Sequence, residues 1–160
     1  MKRFCSAAGV ALAVFGVFGF VGPVVAADPV PFKGSLSGDV THTPVDPQTD
    51  AVLVEATGTA TQLGRFEVTV PHLVDLPTRT AAGYYEFTAA NGDKVYAEFT
   101  GLASPTAIPG VVYIVENATI IGGTGRFAGA TGGFVVERLY DRVAGTTIGS
   151  FEGIISPPNP

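Results

Sequence analysis

The sequence predicts an all-β domain of about eight strands, arranged as a sandwich or a barrel. Three observations carry this. Short runs in which apolar and polar residues alternate recur along the chain, separated by clusters of Gly, Pro, Asn and Asp. No window shows sustained helical periodicity, so no significant helix is expected once an N-terminal leader is removed. One stretch, Ile120 to Gly133, sets six glycines between two β-like runs. Glycine reaches φ > 0 without a steric penalty, so such a cluster marks tight backbone that fixes how two strands meet.

The leader comes first. Lys2 and Arg3 give a positive start, 7–21 is apolar, and Val25-Ala26-Ala27 supplies small residues just before Asp28-Pro29. This is the pattern of a signal peptide over 1–27, cleaved after Ala27, and it predicts a secreted or periplasmic protein. The apolar segment is short for a membrane span and is broken by Gly22-Pro23. Cys5 lacks the small-residue context of a lipid anchor, and cleavage removes it together with the chain's one methionine.

One domain, 28–160, remains, long enough for a real core. Without cysteine it has neither disulfides nor thiolate chemistry. Seven Lys and Arg against fourteen Asp and Glu leave it seven charges negative. That balance argues against nucleic acid or an anionic membrane surface as partner.

Within the domain, 32–40 reads as a first strand and 41–50, with two prolines, as a polar loop. The run 52–60 alternates with Val52, Val54 and Ala56 on one face, and 65–70 alternates with Phe66, Val68 and Val70. A loop or edge segment follows over 71–77. The strongest local signal is Asn91-Gly92 between two β-rich runs in 83–101, the favoured pair for a two-residue hairpin turn. That turn pairs Tyr84 with Phe99 and Glu86 with Ala97. It sets Tyr84, Glu86, Val95, Ala97 and Phe99 on one face, and Tyr85, Phe87, Tyr96 and Glu98 on the other. A proline loop over 104–110 precedes strands at 111–121, 134–140 and 146–155.

The glycine stretch contains two misleading motifs. Gly123-Thr-Gly125-Arg-Phe-Ala128 matches the loose dinucleotide pattern, but no helix can follow, because Gly129, Gly132 and Gly133 interrupt it. No Gly-Lys-Ser/Thr follows either, so there is no phosphate loop. Gly122, Gly123, Gly125, Arg126, Phe127 and Gly129 read instead as a structural turn. A small echo supports this: Gly64-Arg65-Phe66 repeats as Gly125-Arg126-Phe127, a glycine that turns the chain ahead of a phenylalanine that plugs the core.

The run Gly-Gly-Thr-Gly-Arg-Phe-Ala-Gly-Ala-Thr-Gly after an apolar strand resembles the signature turn of the dirigent and allene oxide cyclase barrel-like superfamily. The Phe87-Thr-Ala-Ala-Asn-Gly-Asp-Lys hairpin is similar to one in its small secreted bacterial members. The resemblance covers about half of the domain. It implies an eight-stranded antiparallel β-barrel with a central apolar cavity, assembled as a homo-oligomer, a trimer. Plant members guide phenoxy-radical coupling or cyclise an unsaturated fatty-acid epoxide. No match to their cavity residues is seen beyond the turn, so no catalytic residue is carried over.

The residues themselves leave few sites. His42 and His72 lie thirty positions apart in segments that read as loops, without the close partners a metal needs, so no metal and no cofactor is expected. Gly34-Ser-Leu-Ser-Gly38 places Leu at the nucleophile position. Asp39, Asp46 and Asp50 lack calcium-loop spacing. Asn117-Ala-Thr119 is a formal glycosylation sequon.

Strand alternation singles out three charges, each alone on an apolar face: Glu86, Glu116 (with Val112, Ile114, Ala118 and Ile120) and Arg138 (with Phe134, Val136 and Tyr140). Facing inward, they must pair or shift their pKa, and an unpaired carboxylate there serves as general acid or base. The competing reading makes them a structural ion pair or the rim of an interface. Tyr84, Phe99 and Tyr140 are the expected ligand-binding aromatics. Two functions stay open: an exported barrel that binds an apolar or aromatic small molecule or serves as an assembly module, and a cofactor-free cyclase or isomerase using interior carboxylates. Convergence of Glu86 and Glu116 in one pocket separates them.

Overall fold

The alternating runs close into a ring. The computed structural model describes residues 28–156. The expected signal peptide and its cleavage point lie outside the described residues, as does 157–160. Eight strands follow in order: β1 (Val30–Asp46), β2 (Thr49–Ala60), β3 (Gly64–Asp75), β4 (Thr80–Ala89), β5 (Lys94–Pro105), β6 (Val111–Gly123), β7 (Thr131–Asp141) and β8 (Thr146–Ser156). Each pairs antiparallel with its sequence neighbours, and β1 pairs with β8, from Val30 opposite Ile155 to Asp39 opposite Thr146. Closure leaves no edge strand in the sheet, since every strand has two neighbours. The one helical element among the described residues is a single 3-10 turn at Gly125–Phe127.

The strands run longer than the sequence alone indicates, because proline does not stop them. The segment 41–50, expected as a loop, is strand on both sides of a turn at 47–48. Beyond Asp39, β1 has β2 but no longer β8 beside it, and Pro44 sits at this one-sided end next to a bulge. Pro71 lies inside β3, where the ladder to β4 is interrupted between Thr69 and His72. The missing N–H falls in that gap.

The 83–101 hairpin departs from the expected register. Gly92 N–H donates to the Ala89 carbonyl and Ala89 N–H to the Asp93 carbonyl, with Gly92 at φ 88°. The loop thus holds three residues, Ala90, Asn91 and Gly92, not two. An odd loop slides the pairing by one: Tyr85 faces Ala97, Glu86 faces Tyr96 and Gly83 faces Phe99. A one-residue slip turns every β4 side chain over. Tyr85 and Phe87 therefore enter the barrel, and Tyr84 and Glu86 leave it.

Interior residues divide the barrel along its axis. At the end carrying the β2–β3, β4–β5 and β6–β7 turns, Phe32, Phe66, Phe87, Phe134 and Phe151 pack with ring centroids 5.1 to 6.0 Å apart. Leu63, Phe127 and Ile155 are buried with them. The two Gly-Arg-Phe turns meet here: Gly64 and Gly125 both have positive φ, Phe66 and Phe127 are both buried, and Arg126 Nη2 donates to the Gln62 carbonyl at 2.6 Å. This end is plugged. The other end, with the β1–β2, β3–β4, β5–β6 and β7–β8 turns, is open.

Candidate functional site

Glu116 on β6 and Arg138 on β7 both point inward, as the alternation of their strands requires, and are 0 % and 4 % exposed. Their register partners on the outer neighbouring strands are glycines: Gly101 opposite Glu116 and Gly149 opposite Arg138. A Cβ at Gly101 would lie 2.7 Å from Glu116 Cγ, and one at Gly149 2.5 Å from Arg138 Cβ. Space for two long charged side chains is thus made by the strands beside them.

The two form a bidentate pair. Arg138 Nη2 donates to Glu116 Oε1 at 2.7 Å and Nε to Oε2 at 3.0 Å. Tyr85, which the hairpin slip carries inside, donates its hydroxyl to Glu116 Oε2 at 2.5 Å. Arg138 Nη1 reaches Thr147 Oγ1 at 3.4 Å, and that hydroxyl donates to the Leu139 carbonyl at 2.9 Å. No buried side-chain nitrogen or oxygen among the described residues lacks a partner. Such completeness is what makes a buried ion pair tolerable. Burial opposes the charge on Arg138, but the hydrogen bonds and charge of Glu116 outweigh it and raise the guanidinium pKa. Burial, then the Glu116 charge, pushes the Tyr85 phenol well above its ordinary value.

Over this network lies a cavity of about 310 Å³ that opens at the unplugged end. Glu116 and Arg138 form part of its floor. Val40, Val52, Val74, Ala81, Val112 and Ile114 supply apolar wall. His72 is buried in the wall; its Nδ1–H donates to the Val70 carbonyl at 2.9 Å, leaving Nε2 as the free nitrogen. Burial lowers its pKa, only partly opposed by that hydrogen bond. His42 stacks on Tyr140, centroids 5.5 Å apart, and its Nδ1 lies 3.3 Å from Asp50 Oδ2. Arg79 and Arg142 stand at the mouth. A larger, shallower depression of about 820 Å³ near the plugged end, around Ser35, Thr57, Arg65 and Glu67, draws on mostly outward-facing residues and contains none of this network.

Of the six candidate site residues, four lie inside the barrel and two on its outer face. Glu116 and Arg138 are interior and paired, and Tyr140 lines the cavity. Phe99 is interior, edge-on to His72 at 5.6 Å, below the cavity wall. Glu86 is on the outer face, where it pairs with Lys94, so the two carboxylates do not converge. Tyr84 is also outside, 57 % exposed. Both corrections have one cause, the three-residue hairpin loop. His42 and His72, expected in loops, are on β1 and β3 and face the same cavity. The signal for them existed: Leu36, Gly38, Val40 and His42, and Phe66, Val68, Val70 and His72, keep one parity beyond positions 40 and 70, where the expected strands ended. Among the described residues no group of three or more His, Cys, Asp or Glu could hold a metal ion.

No family model matches the sequence, and no curated protein matches it. Solved structures do. The pterocarpan synthase dirigent protein GePTS1 superposes with a TM-score of 0.60 at 12 % identity, over 93 % of this chain and 100 % of its own. The pterocarpan synthase dirigent protein PsPTS1 gives 0.60 at 10 % identity, over 85 % and 99 %. At such identity the likeness concerns backbone architecture alone: the chain has a dirigent-like fold, a closed eight-stranded antiparallel barrel.

Proposed function

We propose that this is an exported barrel protein that binds an apolar or aromatic small molecule in the cavity at its open end. The observation that carries the reading is the division of the interior. Five phenylalanines fill one end, while the other keeps a cavity of about 310 Å³ with aliphatic walls and a polar floor whose groups are already paired. Few convergent polar groups on an apolar concavity are the usual make-up of a small-molecule site. The isomerase alternative loses its acid–base pair with Glu86 outside and Glu116 held bidentate by Arg138.

Calorimetric titration with 2-naphthol, a neutral aromatic of suitable bulk, tests this. Saturable binding to the wild type that is lost in Ile114→Trp, which fills the cavity, is the expected result. No binding, or binding that Ile114→Trp leaves unchanged, would overturn the reading. Native mass spectrometry of protein from its own host then identifies a retained ligand. Intact mass tests export: the mature chain should begin at Asp28, and one beginning at Met1 contradicts it.

A second reading, assembly with further copies of the chain, is favoured by the outer face. Leu53, Leu73, Tyr84 and Leu102 are exposed together on β2 to β5, where Leu53 lies opposite Pro71 and Leu73 opposite Ala82. Sedimentation of the wild type against Leu73→Asp tests it. A trimer that the substitution dissociates is expected, and a monomeric wild type rules it out.

A further inference from the structure

We infer that the cavity selects a negatively charged ligand: a compact apolar or aromatic body carrying a carboxylate, with the carboxylate held at the mouth by Arg79 and Arg142. This rests on the cavity being the binding site and adds the charge of its occupant.

The distribution of charge carries the inference. The described residues contain seven Lys and Arg against fourteen Asp and Glu. Three of those seven cations, Arg79, Arg138 and Arg142, line this one cavity, with two of the fourteen acids, Asp50 and Glu116. The cavity of a strongly acidic protein is thus net positive. The pairing sharpens the point. Glu116 is engaged by Arg138, and Asp50 by His42. Among the described residues neither Arg79 nor Arg142 has a carboxylate within ion-pair distance.

The acids nearest these arginines in sequence are occupied elsewhere. Asp75 Oδ1 accepts Thr78 N–H at 2.8 Å and the Thr78 hydroxyl at 2.6 Å. Asp141 Oδ1 accepts Val143 N–H at 2.8 Å and Ala144 N–H at 3.0 Å. Both carboxylates tie down their own turns. The two guanidiniums are left as free forks, the geometry suited to a planar carboxylate.

The backbone holds them at the mouth. Arg79 is one of two non-glycine residues among those described with positive φ, at 60°, and its carbonyl accepts Ala103 N–H at 3.0 Å. A long side chain kept in a left-handed conformation is a cost that the surrounding structure must impose. Arg142 N–H donates to the Gly110 carbonyl at 2.9 Å, fixing the β7–β8 turn against the β5–β6 loop.

Three probes of one size and different charge test the inference: 2-naphthoate, 2-naphthol and 2-naphthylmethylammonium, titrated into the full mature chain at pH 7.5. The expected order is naphthoate tightest and the ammonium weakest. Arg79→Gln and Arg142→Gln, both at exposed positions, should each weaken naphthoate by about two- to fivefold and leave naphthol unchanged. Raising salt should have the same selective effect. Equal binding of the three probes, or a naphthoate preference that survives in the double variant, overturns the inference and leaves the cavity reading standing. Failure of all three probes to bind overturns the cavity reading, and this inference with it.

Discussion

Arg138 reaches Glu116 diagonally across the β6–β7 pair: its own register partner is Ile114, and that of Glu116 is Val136. The guanidinium still meets both carboxylate oxygens, at 2.7 and 3.0 Å. Such a diagonal lies within reach of long side chains on one sheet face. The pair is buried, so its worth shows when it is broken rather than when it is counted.

Arg138→Met is therefore expected to cost about 3–5 kcal/mol, because it leaves an uncompensated carboxylate in the core. Glu116→Gln strands the guanidinium and should also be costly. The double variant should lose less than the two single losses added, since neither charge is then left alone. Urea denaturation midpoints measure all three. A neutral Arg138→Met would contradict the buried pair.

Tyr84 and Tyr85 are adjacent yet opposite in consequence. Tyr85 is 1 % exposed and hydrogen-bonded to Glu116, while Tyr84 lies outside. Tyr85→Ala should cost on the order of 3–5 kcal/mol, as for other large aromatics removed from a core. Tyr85→Phe should cost about 1 kcal/mol for the lost hydrogen bond. Tyr84→Ala in the monomeric state should stay within about 0.5 kcal/mol of neutral. The reverse order would restore the two-residue turn.

These cases show what the sequence makes legible. Glu116 and Arg138 each stand as the lone charge among apolar residues on one strand face, and no glycine or proline interrupts their runs, so which residues share that face is legible; which way it points is decided by closure of the barrel. The β4 faces depend on whether the Asn91-Gly92 turn holds two residues or three. That is settled by backbone hydrogen bonds, not composition. His72 was hidden by Pro71, which ends a strand in isolation but is tolerated where the ladder already has a gap. Arg79 and Arg142 belong to turns, where no periodicity assigns a direction. Only closure of the barrel brings them to one mouth.

Gly125→Val is expected to destabilise more than Gly145→Ala. Both glycines have positive φ, 55° and 69°, although Gly145 reads in sequence as an ordinary turn residue. They differ in what surrounds them. A Cβ at Gly145 finds nothing nearer than the Val40 carbonyl at 3.8 Å, so alanine there should cost about 1 kcal/mol of backbone strain. A Cβ at Gly125 would overlap the Asp93 carboxylate. That carboxylate accepts Asn91 Nδ2 at 2.9 Å and Arg126 N–H at 3.4 Å, so moving it loosens the plugged end. Valine should therefore cost on the order of 1–3 kcal/mol or more. Equal denaturation midpoints for Gly125→Val and wild type would refute the requirement.

His72 gives the protein a pH dependence with a defined sign. Burial lowers its folded-state pKa, and the Arg138 charge adds to this; the Val70 carbonyl and Glu116 act the other way, and His42 also lowers it. In the unfolded chain the imidazole titrates near 6.5. Below that pH the unfolded state takes up a proton that the folded state resists. Folding stability from this group is thus fully present above about pH 6.5 and is lost as pH falls towards the depressed folded value. One proton limits the slope to about 1.4 kcal/mol per pH unit. Melting temperatures from pH 7.5 to 5.5 should fall more steeply for wild type than for His72→Gln, which lacks this imidazole. Carboxylates common to both proteins cancel in the comparison. Identical slopes would mean that His72 is as free to protonate in the barrel as in the unfolded chain, which its burial beside Phe99 argues against.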